Sequence, residues 1–350
     1  MILRDPLVIT FCFLILSSQA QLSLSNIFTD NMVLQRDQPI VIWGKASPQE
    51  VIQVQFNGQS KSSICSADSS WKVVFKPIKA STGTHSLLIR SPKEKILLED
   101  IVIGDVWLCL GQSNMEWPMQ QEQYFTEEIK QCQYQSIRFY NPSYAGKSIY
   151  NVTFSDSIVS MLNHKDFYKG KWQYCDTSSI KTMSAVGYYF GKEIYTSTNI
   201  PIGLINLSIG GAPIETFIDP KVLSTHKTFQ NKLQGDWLTN PNLPVWIRER
   251  GRQNIGVVTH VEYDANGKNH AFKPGFAFQA GISSLTNLPI KGIIFYQGES
   301  NAQEVDRVLE YRKLSKLMIK NYRKIWKNKK LPFYYAQLSS IDTVSYKGHH

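Results

Sequence analysis

The chain has little that could hold it in a membrane. Its longest uncharged apolar run, Leu7 to Leu16, is about half of the roughly 20 residues that a spanning helix needs. No membrane insertion is expected once that segment is removed. The cysteines show no zinc-type spacing, and no metal or organic cofactor is implied. Internal repeats and low-complexity tracts are absent, which excludes solenoids and extended linkers. Acidic residues are the scarcer charge, 28 against 38 Lys and Arg, for a formal net charge of +10. The densest basic cluster is Lys320, Arg323, Lys324, Lys327, Lys329 and Lys330. That spacing fits the solvated side and C-terminal end of a helix, and no nucleic-acid motif accompanies it. No nucleic-acid partner is expected.

What is present begins with a targeting pattern. Arg4 precedes the apolar run, and Ser18-Gln19-Ala20 supplies small residues at a cleavage site. Residues 1–20 are expected to be a signal peptide, and the protein to be exported to a periplasmic, extracellular or lysosomal location. Five cysteines occur, and Cys12 would leave with the signal. Cys65, Cys109, Cys132 and Cys175 permit two disulfides in an oxidising compartment, although Cys109 reads as a buried free thiol. Asn151-Val152-Thr153 and Asn206-Leu207-Ser208 are glycosylation sequons, the second inside an expected buried strand.

The 350 residues suffice for about two domains. Residues 21–100 read as a small all-β sandwich. Ile52, Val54 and Phe56 alternate with polar residues before an Asn57-Gly58 turn, and Trp71, Val73 and Phe75 alternate again. From residue 101 to residue 350 strands and helices take turns. Strands are expected over 101–110, 200–209, 290–296 and 331–338, and helices over 184–196 and 303–327. That order implies an α/β domain, a parallel sheet covered on both faces. Residues 225–275 read as an insertion near the crevice, with Trp237, Trp246 and a hairpin at Asp264-Ala265-Asn266-Gly267.

Three glycine-containing motifs each follow an expected strand: Gly111-Gln112-Ser113-Asn114-Met115, Gly210-Gly211-Ala212-Pro213-Ile214-Glu215 and Tyr296-Gln297-Gly298-Glu299-Ser300-Asn301-Ala302. In an open parallel sheet those strand ends line the ligand crevice. A serine on a tight turn after a strand is well placed to act as a nucleophile, so Ser113 is the candidate. Attack on an ester carbonyl creates an oxyanion that needs preorganised donors. The candidates are the Ser113 amide, an amide at Gly210 or Gly211, and a side-chain amide from Gln297 or Asn301, with Gly298 in the same turn. Gln112, Asn114 and Glu299 would support them, Glu299 by orienting Ser113 or its neighbours. Glu215 would anchor its loop.

These motifs, in this order, resemble the sialate O-acetylesterase family, which belongs to the SGNH-type serine hydrolases. Met32-Val33-Leu34-Gln35-Arg36 and Trp43-Gly44 resemble the accessory β domain that precedes its catalytic domain. The resemblance implies an SGNH-hydrolase-like three-layer α/β/α fold and a carbohydrate O-acetylesterase acting on O-acetylated sialic acid or a related glycan. Acetyl esters of other polysaccharides such as xylan are the alternative substrates. A secreted glycan-binding protein without catalysis is the alternative function. The family's general base is a histidine followed by proline in a C-terminal block, with an aspartate. No His-Pro occurs in this chain, which ends at His349-His350. His85, His164, His226, His260 and His270 match no family position. The resemblance therefore leads to the expectation of a C-terminally incomplete form of a longer enzyme.

Overall fold

The computed structural model describes residues 21–338. The expected signal peptide, the Ser339–Asp342 loop and His349-His350 lie outside the described residues.

The N-terminal part is built from β1 (Ser23–Leu24), β2 (Val33–Gln35), β3 (Ile40–Lys45), β4 (Val51–Phe56), β5 (Gln59–Ile64), β6 (Ser70–Phe75) and β7 (Ser81–Arg90). One sheet has the order β1-β3-β6, and β7, β4 and β5 form the other as an antiparallel set. In β4 and β6 every second residue is buried, as a sheet with one face on a core requires. Phe56 and Phe75 meet edge to face across the two sheets, with centroids 5.8 Å apart. The Asn57-Gly58 turn is the expected one, both residues having positive φ.

The next strand, β8 (Lys95–Gly111), belongs to both parts of the molecule. Its first half alternates exposed and half-buried residues and pairs with β7. From Ile101 to Gly111 every residue is buried, because the strand now runs through the middle of a covered sheet.

The elements that follow are α1 (Ser113–Glu116), α2 (Phe125–Glu128), β9 (Tyr134–Tyr140), β10 (Ser143–Tyr144), α3 (Asp156–Val159), β11 (Tyr168–Lys169), β12 (Trp172–Cys175), α4 (Ala185–Thr198) and β13 (Ile202–Asn206). Then come α5 (Pro220–Thr225), α6 (Val245–Ile255), the hairpin β14 (Tyr263–Asp264) and β15 (Gly267–Lys268), β16 (Gly292–Tyr296), α7 (Val305–Ile325) and β17 (Phe333–Tyr335). β13 pairs in parallel with β8 on one side and β9 on the other. β16 pairs in parallel with β8 and β17, and β12 closes the far edge antiparallel to β9.

Side chains alternate across this sheet. Trp107, Cys109, Phe139, Leu204 and Ile294 pack with Ala185 and Tyr188 of α4 on one face. Leu108, Leu110, Ile205, Ile293 and Phe295 pack with Leu314, Met318 and Tyr322 of α7 on the other. The result is the expected α/β fold, helices on both faces of a mostly parallel sheet. Ser184 starts α4 by accepting a hydrogen bond from the Gly187 amide at 3.0 Å, and Asn199 ends it in the left-handed region.

The four cysteines that could have formed disulfides are all buried and free. They sit in apolar surroundings, and burial pushes the Cys109 thiol up to about 12. Asn206 is buried and hydrogen-bonded to Asn141, so the second sequon is closed to modification, whereas Asn151 is exposed.

Candidate active site

The sheet order places its switch point at β8. From β8 the chain runs to β9 and β13 on one side, then crosses to β16 and β17 on the other. Ligands of open α/β sheets bind where the order reverses, outside the carboxyl ends. The three motifs follow β8, β13 and β16, which are adjacent, so they meet at that point.

Gly111 makes the first turn possible. Its φ is +149°, and a Cβ there would lie 2.0 Å from the Tyr296 carbonyl oxygen. Ser113 opens α1 and is exposed, while Gln112 beside it is buried. Among the described residues no side chain hydrogen-bonds to the Ser113 hydroxyl, and its amide, first in the helix, has no acceptor.

Gln112 ties the first motif to the third. Its Oε1 accepts from Gln297 Nε2 at 3.2 Å, the Ser300 amide at 3.1 Å and the Gly298 amide at 3.4 Å. Gln297 Nε2 also reaches Asn301 Oδ1 at 2.8 Å and the Ala212 carbonyl at 3.3 Å. Asn301 accepts from the Ile214 amide at 3.0 Å and donates to Glu215 at 2.9 Å. Gln297 and Asn301 are therefore both buried and engaged in joining the motifs. The expectation that one of them offers its amide to the crevice is not what their hydrogen bonds favour. Sequence could not reveal this, because it does not say which polar neighbours compete for an amide.

The second motif divides its two glycines. The Gly210 amide donates to the Tyr144 hydroxyl at 3.1 Å, and that hydroxyl donates to Glu116 at 3.2 Å. Burial, reinforced by the Glu116 charge, raises the Tyr144 hydroxyl well above its usual range and keeps it protonated. The Gly211 amide has no acceptor among the described residues, and Gly211 sits at φ +74°. The geometry thus leaves the backbone amides of Ser113 and Gly211 unclaimed at the crevice.

Glu299 lies within hydrogen-bond reach of the first motif. It accepts from Asn114 Nδ2, next to Ser113, and forms no salt bridge among the described residues. Glu215 is fully buried. Burial alone would raise its carboxyl, but Lys232 at 3.0 Å and the Asn301 amide hold it below the usual range. Lys232 also pairs with Glu310 at 2.8 Å.

None of the described histidines hydrogen-bonds to Ser113. His270 lies in the core, its ring against Phe154 and Trp237, with Nε2 at 3.2 Å from Asn254 Oδ1 and Nδ1 accepting from the Phe272 amide. Burial pushes its pKa down to about 3. His226 and His260 are tied to their own loops or to Asp156. Among the described residues no group of His, Cys, Asp and Glu could hold a metal ion, and no helix is long and apolar enough to cross a membrane.

The insertion reaches the crevice through Trp246, which packs over Gly211; Trp237 is buried and donates its indole N–H to the Lys268 carbonyl at 2.8 Å. Sequence reasoning did not single out Glu116, Tyr144, Tyr150 or Arg250, which surround Gly210. Only Glu116 carried a signal, lying one helical turn after Ser113.

Residues 270–349 match the family described as carbohydrate esterase, sialic acid-specific acetylesterase. The chain is similar to that family over this stretch. It is 29% identical over 286 residues to the sialate O-acetylesterase of Homo sapiens, covering 78% of this chain and 47% of that protein. The Mus musculus sialate O-acetylesterase is 27% identical over 343 residues, covering 89% and 59%. The chain thus spans about half the length of the curated relatives it matches. Among solved structures, a carbohydrate acetylesterase from Xanthomonas citri superposes with a TM-score of 0.68 at 28% identity, over 91% of this chain and 60% of that one.

Proposed function

We propose that this chain carries the site of a carbohydrate O-acetylesterase with Ser113 as its nucleophile. The observation that carries the reading is an exposed serine at the switch point of the sheet, beside the unclaimed amides of Ser113 and Gly211. Ser113 Oγ attacks the acetyl carbonyl, the oxyanion is met by those two amides, and the sugar hydroxyl leaves. Water then attacks the acetyl-enzyme and releases acetate. In a comparable hydrolase each preorganised donor contributes roughly 3–4 kcal/mol. Asn114 and Glu299 position the turn that bears Ser113, and Gln112, Gln297, Gly298 and Asn301 hold the three motifs in register. Ser113 requires a general base to be a useful nucleophile at neutral pH. Among the described residues no histidine or carboxylate hydrogen-bonds to the Ser113 hydroxyl to fill that role.

The names of the relatives and the matched family support O-acetylated sialic acid as substrate, with other acetylated polysaccharides as the alternative. We further propose that residues 1–20 direct export, that residues 21–100 act as an accessory β domain, and that residues 101–350 carry the chemistry.

The test is acetate release from O-acetylated sialic acid and from acetylated xylan, by the chain and by its Ser113→Ala form, both confirmed folded. Release that disappears in Ser113→Ala is expected. Release that persists in Ser113→Ala overturns the nucleophile, and a preference for xylan overturns the substrate. Glycan binding by both forms without any hydrolysis would favour a binding protein.

A further inference from the structure

Arg250, on α6, is a cation with no hydrogen-bond acceptor and no carboxylate partner among the described residues, beside the proposed oxyanion amides. Its guanidinium carbon lies 5.3 Å from the Tyr150 ring centroid and 5.8 Å from that of Trp246. It makes no hydrogen bond and no ion pair among the described residues, and its Nη1 is buried with no acceptor. The indole N–H of Trp246 is likewise buried and unpaired. Two unsatisfied buried donors on neighbouring side chains are costly, the more so when one of them is charged. Such a cost is offset where water, an ion or a ligand supplies the acceptors.

The placement ties this pair to the site. Trp246 packs over Gly211, and Tyr150 reaches Gly210: their atoms would lie 2.8 Å and 3.3 Å from Cβ atoms built at those glycines. A small cavity of about 20 Å³ is lined by Arg250, Tyr150, Gly210 and His270. The carboxylate of the same cluster, Glu116, is already taken by Lys147 at 3.3 Å and Tyr144 at 3.2 Å. His270 is a core imidazole engaged by Asn254 and offers no negative charge. Aromatic rings beside a guanidinium lower its hydration and leave its N–H fork free for a planar anion.

We propose that Arg250, with the Trp246 indole N–H, receives the carboxylate of an acidic sugar while its acetyl ester lies at Ser113. This makes Arg250 a specificity residue that selects acidic over neutral acetylated sugars, and it rests on the esterase reading above. A carboxylate meets a guanidinium through paired, charge-assisted hydrogen bonds that a neutral sugar cannot reproduce.

The experiment separates the two readings by measuring binding as well as turnover. Calorimetric titration of the chain with N-acetylneuraminate, its methyl ester and glucuronate reads the carboxylate requirement without any chemistry. The free acid is expected to bind at least about tenfold more tightly than the methyl ester, and Arg250→Gln to remove the difference. Glucuronate binding as well as N-acetylneuraminate would extend the selected class to uronic acids. Equal binding of acid and methyl ester by the parent chain overturns the proposal, whatever the variant does. A preference that persists in Arg250→Gln overturns the assignment to Arg250. Failure of the esterase reading appears elsewhere, as absence of acetate release from a chain that still distinguishes acid from ester.

Discussion

Asn301 donates a hydrogen bond to Glu215 at 2.9 Å across 86 positions of sequence, and both side chains are buried. This contact joins the second motif to the third. It continues through Gln297 to Gln112 on one side and through Lys232 to Glu310 on the other. The turn before Ser113 is thereby held by a buried polar chain anchored in the 225–275 insertion. Such a chain is stabilising only while every member is satisfied.

Removing its buried anion is therefore expected to be severe. Glu215→Ala leaves Lys232, with no exposed side-chain surface, with the Glu310 carboxylate and the Asn242 carbonyl as its remaining partners among the described residues. A loss of about 3–5 kcal/mol is expected. Urea denaturation followed by tryptophan fluorescence measures it. Replacing both partners by apolar residues, Glu215→Leu with Lys232→Met, should recover much of that loss.

Gly211→Ala tests the second turn. The substitution must adopt φ +74° and place a methyl group 2.8 Å from the Trp246 ring. The left-handed conformation alone costs roughly 1–2 kcal/mol. A lowered melting temperature is expected. Adding Trp246→Ala should relieve the crowding but leave the backbone cost, so recovery should be partial.

His270 gives the protein a defined acid sensitivity. Its folded pKa of about 3 lies below the ordinary value of 6.5, so between those two pH values the unfolded chain binds the extra proton. Stability from this residue is complete above pH 6.5 and is lost as pH falls toward 3. Glu215, whose carboxyl is also lowered, adds to the loss at the acid end. Melting temperature is expected to fall from pH 7 to pH 4, with a shallower slope in His270→Gln. Parallel slopes would count against this origin.

Thiol chemistry should be silent in the native state. Cys65, Cys109, Cys132 and Cys175 are buried and free, and burial raises the Cys109, Cys132 and Cys175 thiols. An aromatic disulfide reagent is expected to label none of these four natively and all of them in denaturant. A reductant should leave the melting temperature unchanged. A shift of several degrees would reveal a disulfide.

The local elements were legible because their signals are local. Alternation at Ile52, Val54 and Phe56 specifies a half-buried strand, and the spacing of Leu314, Met318 and Tyr322 specifies a helix with one buried side. The three motifs could be placed at strand ends for the same reason. The extent of β8 was not legible. Its N-terminal half alternates like a sandwich strand and its C-terminal half is a continuous apolar run, so the sequence reads as two elements where the backbone makes one.

By itself, the sequence determined which residue types stand at the ends of β8, β13 and β16: a serine, a pair of glycines and an amide-rich turn. Hydrophobic periodicity and turn chemistry act over a few residues, and they suffice for that. Only the tertiary structure decided which donors remain unclaimed there. Gly210 is taken by Tyr144, Asn301 by Glu215 and Gln297 by Gln112, while the Gly211 amide and the Arg250 guanidinium find no hydrogen-bond acceptor among the described residues. Hydrogen bonds are assigned by competition among groups brought together from distant parts of the chain, and that competition exists only once the chain has folded.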